Sequence, residues 1–220
     1  MKRLLLLSNS TLPGEPFLGW PEPHIKQFLG NKPLRILFFP FAGVTFSFDD
    51  YYEKVNERFV AMGYSCSSAH KVDDKKEAID QCDVIAVGGG NTFQLASYLQ
   101  DGWIELIREK VQKGAPYIGW SAGSNVACPT IKTTNDMPIV EPKSFNVLNL
   151  VPFQINPHFT DATIPNHGGE TRSQRIAEFI VANPGVQVYG VPEGALLQVE
   201  GDEVTYKGRG ELKVFGGEKT

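Results

Sequence analysis

The sequence predicts an α/β layer fold built on a mostly parallel sheet, and two observations carry that prediction. Continuous apolar runs rich in Leu, Val, Ile and Phe recur along the chain without in-out alternation, as expected of strands covered on both faces. Stretches of helical period lie between them, and strand then helix, repeated, builds a parallel sheet flanked by helices.

Taken in order, the predicted strands are residues 3–7, 34–39, 84–87, 117–120, 147–155 and 186–191, and the predicted helices are 49–62, 92–99, 103–113 and 172–182. Lys2 and Arg3 precede a short apolar run that Ser8-Asn9-Ser10 ends at once, so this opening reads as a first buried strand rather than a secretory leader. Residues 12–23, rich in Pro and Gly, form the one long irregular segment, either an ordered loop at the site or a surface excursion. After residue 194 the runs 195–199, 203–207 and 212–215 are short and spaced by glycine, which predicts antiparallel edge hairpins.

A chain of 220 residues suits one domain spanning 1–220. The balance of 21 Lys plus Arg against 25 Asp plus Glu includes no basic run that would track a phosphate backbone, which argues against a nucleic acid partner. No apolar stretch reaches the length of a bilayer span. Cys66, Cys82 and Cys128 are odd in number and irregularly spaced, without a CxxC pair or a histidine grouping. They read as buried thiols of a cytoplasmic protein, with no metal or other cofactor expected.

The sharpest chemical signal is Gly119-Trp120-Ser121-Ala122-Gly123, placed where a strand ends and a helix begins. This is the G-x-S-x-G nucleophile elbow, in which a sharp turn projects the serine hydroxyl and the amide of Ala122 points at a developing oxyanion. The plain alternative is a glycine-rich turn with an N-capping serine. Gly88-Gly89-Gly90-Asn91-Thr92 follows another strand; it lacks the Walker and dinucleotide spacings, and it suits an oxyanion-hole strand end or a helix capped by Asn91 or Thr92. Of four histidines, His158 follows the 147–155 run through Asn156-Pro157 and so shares with Ser121 the carboxyl ends of the strands, where α/β sheets bind ligands. His167, in Pro165-Asn166-His167-Gly168-Gly169, reads as surface turn. The orienting carboxylate is Glu193 or Asp136: chain order favours Asp136 by analogy with α/β-hydrolases, and periodicity does not choose. Arg172 opens the helix after the histidine loop and could grip a carboxylate, or else pair at the surface with Glu170 or Glu178.

Six blocks in order, Gly88 to Gln94, Gly119 to Gly123, Thr133 to Pro138, Gln154 to Phe159, Gly169 to Arg172 and Pro192 to Gly194, together resemble peptidase E, the α-aspartyl dipeptidase family. The segments 4–13 and 40–44 extend the likeness, and the tail after residue 195 resembles it least. The resemblance implies a three-layer, flavodoxin-like α/β/α fold of the class I glutamine amidotransferase kind, with serine in place of cysteine. It further implies a metal-independent Ser121-His158-Glu193 triad acting on Asp-Xaa dipeptides, with Arg172 holding the substrate aspartate. The expected chemistry is acyl transfer, with Ala122 and Gly89 or Gly90 stabilising the oxyanion and Asp136 or Glu170 reading the substrate amino group. The expected partners are small peptides, and the expected assembly a monomer or small homo-oligomer. An α/β-hydrolase esterase is the rival enzyme, disfavoured because no histidine follows Glu193. A small-ligand binding domain on the same scaffold is the non-enzymatic rival.

Overall fold

The computed structural model describes residues 1–163, 165–166 and 168–217. Its main sheet has seven strands: β1 (Arg3–Leu7), β2 (Arg35–Phe39), β3 (Ser65–Ser68), β4 (Val84–Val87), β5 (Tyr117–Trp120), β8 (Ala195–Glu200) and β9 (Glu203–Gly208), in the order β3-β2-β4-β5-β1-β8-β9. The first five are parallel, and β8 and β9 add an antiparallel hairpin beside β1. A second sheet, β10-β7-β6, joins β6 (Gln154–Asn156) in parallel to β7 (Gln187–Gly190), and β7 antiparallel to β10 (Lys213–Gly216).

Side-chain alternation along the continuously apolar strands divides the interior in two. On one face Leu4, Leu6, Leu37, Phe39, Ile85, Val87 and Tyr117 pack under helices α3 (Lys75–Gln81), α4 (Thr92–Leu99), α5 (Ile104–Gln112) and the single turn α6 (Ala122–Asn125). On the other, Leu5, Leu7, Ile36, Phe38, Ala86, Ile118 and Trp120 meet α1 (Glu22–Leu29) and α2 (Phe48–Ala61). This is the three-layer α/β/α arrangement. Helix α7 (Arg172–Ala182) lies apart from both cores and covers the small sheet through Ile176, Val188 and Phe159. No helix among the described residues is long and apolar enough to cross a membrane.

Five elements depart from the sequence reading. The predicted strand 147–155 shrinks to β6, because Asn149 takes a left-handed φ of 49° and the amides of Val147 to Leu150 donate to carbonyls between Val126 and Pro129 instead of to a strand. The run stays buried, so its apolar character reports burial and not extension. Strand β10 leaves the expected edge hairpin to close the second sheet. Helix α1 was hidden by its own prolines, which sit at the cap and in the first turn, where a missing N–H costs nothing. Strand β3 is an edge strand of sequence Ser-Cys-Ser-Ser, with too few apolar residues to signal itself, and α3 is a short helix capped by Asp74.

Candidate active site

Three adjacent central strands deliver their carboxyl ends to one place. β4 ends in Gly88-Gly89-Gly90, β5 in Ser121 and β1 in Ser8-Asn9. The small sheet supplies the rest, since His158 follows β6 and Glu193 follows β7.

Ser121 sits at φ 52°, ψ −112°, a conformation that L-residues rarely adopt and that costs on the order of 1–3 kcal/mol. The surroundings hold it there: its N–H donates to Leu7 O, and its carbonyl accepts from the amides of Ser124 and Asn125. Its hydroxyl makes no capping hydrogen bond, so the N-cap alternative is not what the structure shows. The elbow also explains its glycines, for a Cβ on Gly119 would overlap the Gly123 carbonyl and one on Gly123 would overlap Val87 O of β4.

Ser121 Oγ lies 3.0 Å from His158 Nε2, and His158 Nδ1 lies 2.7 Å from Glu193 Oε1. A carboxylate only accepts, so Nδ1 carries the proton and Nε2 is left to accept from the serine hydroxyl. His158 and Glu193 side chains are 39% and 50% exposed, so the line opens to solvent at its outer end. His158 also holds a left-handed φ of 52°, and its backbone is pinned by Ser8. The His158 N–H donates to Ser8 Oγ at 2.8 Å, and that hydroxyl in turn donates to Val191 O at 2.8 Å. Asn9 Oδ1 accepts from the Gly194 amide. Ser8 and Asn9 thus lace together the two loops that carry His158 and Glu193.

The other sequence-predicted groups fall into two sets. A Cβ added to Gly89 would come within 3.0 Å of Ser121 Cβ, and among the described residues the Gly89 and Gly90 amides donate to no acceptor. Tyr51 OH donates to Gly89 O and accepts from Trp120 Nε1, which fixes that peptide against the serine. Burial pushes the Tyr51 phenol up, so it serves as a neutral brace. Asn91 caps α4, so the turn reading of that glycine run holds beside its free amides.

Asp136 takes no part at His158. Its Oδ2 accepts from the Thr92 N–H and from the Thr92 and Thr134 hydroxyls at the start of α4. Glu170 pairs with Arg175 at 2.8 Å. Arg172, half-buried at the start of α7, lines a separate cavity of about 540 Å³ with Thr134, Asn135, Asn156 and Glu170. Burial lowers its guanidinium pKa, and nearby Asp136 opposes that shift. In the same cavity wall Asn156 donates from Nδ2 to Thr133 O and Asn135 Oδ1, and buried Asn156 Oδ1 has no partner among the described residues. His167 lies outside the described residues. No grouping of three or more His, Cys, Asp or Glu suited to a metal occurs among the described residues.

The sequence signature of peptidase family S51 matches residues 4–207. The chain belongs to peptidase family S51. A peptidase E from Nostoc sp. is 53% identical over 215 residues, covering 97% of this chain and 89% of the relative. One from Salmonella newport is 47% identical over 213 residues, covering 96% and 93%. The solved structure of a peptidase from an acI-B1 Actinobacterium superposes with a TM-score of 0.73 at 18% identity, covering 100% of this chain and 92% of that one, a likeness of fold. The protein is accordingly a serine peptidase.

Sequence reasoning missed Ser8, Asn9 and Tyr51. Ser8 and Asn9 carried a usable signal, since they stand at the carboxyl end of a central strand. Tyr51 carried none, being one aromatic on the buried face of a helix.

Proposed function

We propose that the chain is one catalytic domain that hydrolyses dipeptides with an N-terminal aspartate, through an acyl-enzyme on Ser121. The observation that carries this reading is the continuous line from Ser121 Oγ through His158 to Glu193, at 3.0 and 2.7 Å. His158 Nε2 takes the serine proton as Oγ attacks the aspartyl carbonyl, and Glu193 stabilises the imidazolium while holding the tautomer. The amides of Ala122 and Gly89, with Gly90 beside them, receive the oxyanion. His158 then protonates the departing amine, and water, activated by the same nitrogen, releases aspartate.

Arg172 is the cation proposed to read the substrate side chain, since its partly buried guanidinium faces a polar cavity and makes no ion pair among the described residues. Asp136, which already influences Arg172, is the better of the two acids for the substrate amino group: its Oδ2 accepts from Thr92 and Thr134 but its Oδ1 accepts no hydrogen bond among the described residues, and it forms no ion pair there, whereas Glu170 is paired with Arg175. A kinetic comparison of Asp-Leu, Asn-Leu and Glu-Leu on wild type and Ser121→Ala tests the reading. Hydrolysis confined to Asp-Leu and abolished in the variant is expected, and turnover by Ser121→Ala would overturn it.

A further inference from the structure

The cavity beside Ser121, about 620 Å³, has a wall that the triad does not use. Phe17, Tyr51 and Trp120 form it edge to face, with Phe17 6.4 Å from Tyr51 and 6.3 Å from Trp120 between ring centroids. Phe46 lines it as well, and Lys54 stands at its rim, its ammonium 4.6 Å from the centroid of Phe17.

Among the described residues Lys54 makes no ion pair and no side-chain hydrogen bond, and it is the lysine that lines the Ser121 cavity. Asp50 precedes it by one turn on α2, a spacing that commonly pairs, and lines the same cavity. Lys54 rests on the aromatic wall all the same. The result is an uncommitted cation over an apolar surface, in the same cavity as Ser121.

We propose that Lys54 binds the free α-carboxylate of the leaving residue, and that Phe17 and Phe46 take that residue's side chain. This rests on the acyl-transfer reading above. The Arg172 cavity and the Ser121 cavity share no lining residue, so if the aspartyl half of the substrate turns toward the first, the leaving half is left to the second, which Lys54 lines. In a dipeptide the leaving residue ends in a carboxylate one residue from the scissile bond. In a tripeptide that charge moves about 3.3–3.6 Å further out, away from the same ammonium. Lys54 is therefore a specificity-determining residue that ties the enzyme to dipeptides. Asp50 opposes the incoming anion and limits the gain.

The test compares kcat/KM for Asp-Leu with that for Asp-Leu amide, in wild type, Lys54→Gln and Lys54→Arg, each checked for native circular dichroism. The wild type should prefer the free acid by about tenfold, the scale of one charge-assisted contact. Lys54→Gln should lose that preference, with the loss falling on Asp-Leu, and Lys54→Arg should keep most of it. An unchanged acid-to-amide ratio in Lys54→Gln overturns the proposal while leaving the triad reading standing, as does an equal loss on both substrates. Failure of the wild type to cleave either peptide would overturn both readings.

Discussion

Ser8→Ala isolates the connection between the loops that carry His158 and Glu193. Ser8 is fully buried and reaches both the His158 amide and the Val191 carbonyl. Val191 O keeps a second donor, the Phe159 amide at 3.0 Å, so the alanine variant orphans one group only, the His158 N–H. An unsatisfied buried donor costs about 1–3 kcal/mol, which sets the expected loss in unfolding free energy. Activity should fall further than stability suggests. His158 holds a left-handed φ of 52° against a strain on the order of 1–3 kcal/mol, and Ser8 is part of what keeps it there. Released, the backbone relaxes and carries the imidazole away from Ser121, and a displacement of about 1 Å at such a site costs on the order of a hundredfold in rate. Urea unfolding and steady-state kinetics with an aspartyl dipeptide check both effects, the kinetic loss being expected in kcat. A Ser8→Ala enzyme with wild-type kcat and a stability change under about 0.5 kcal/mol would refute the idea that Ser8 positions His158.

Glu193→Gln should lower kcat far more than Asp136→Asn, since an amide at 193 can donate to Nδ1 and favour the wrong tautomer. The opposite ranking in the two purified variants would move the orienting acid to Asp136, whose observed contacts instead predict a local loss at the start of α4. Gly123→Ala should yield little folded protein, because its methyl would overlap Val87 O in the sheet centre; expression at wild-type level with a native melting curve would contradict that packing. Burial pushes the Cys82 thiol up to about 11 and the Cys128 thiol to about 12 from a reference of 9.0. Unfolded thiols ionise first as pH rises, so their contribution to stability is complete below about pH 9 and is lost from there upward as the pH nears the folded values. Native protein at pH 8 should therefore leave both unmodified by iodoacetamide, and rapid labelling without unfolding would be the contrary result. Arg172→Ala should remove most of the preference for Asp-Leu over Asn-Leu, a change of about 2–5 kcal/mol in transition-state binding read from the ratio of kcat/KM. Retention of the wild-type ratio would mean that another group reads the side chain.

The main sheet was legible because its strands are covered on both sides. Leu4 to Leu7 or Val84 to Val87 can be uniformly apolar only where alternate residues enter different cores, and the structure divides them in that way. The same logic misread residues 147–153, where apolar side chains are buried by an irregular backbone whose amides find carbonyls beyond α6. Hydrophobicity reports burial, and the hydrogen-bond partner that would distinguish strand from coil lies about twenty residues away in sequence, out of reach of any local pattern.

The site divides along similar lines. Ser121, the glycine runs and the candidate base were readable because each interrupts a strand with residues that a plain turn does not require. The residues that hold them were not, because Ser8, Asn9 and Tyr51 act across 150, 185 and 38 positions of sequence respectively. Phe17 shows the middle case: a segment rich in Pro and Gly could have been excursion or wall, and the structure sets one of its aromatics against Trp120 in the Ser121 cavity. What the fold adds is therefore the convergence of two sheets. The proposed nucleophile, Ser121, follows a strand of the parallel sheet, while His158 and Glu193, its proposed base and carboxylate, follow strands of the smaller sheet covered by α7, the helix that begins with Arg172. Relative movement of those two sheets would change the Ser121–His158 distance and the position of Arg172 together, and the hydrogen bonds of Ser8 and Asn9, with that from Asn125 Nδ2 to Ile155 O at 2.7 Å, are contacts that oppose it.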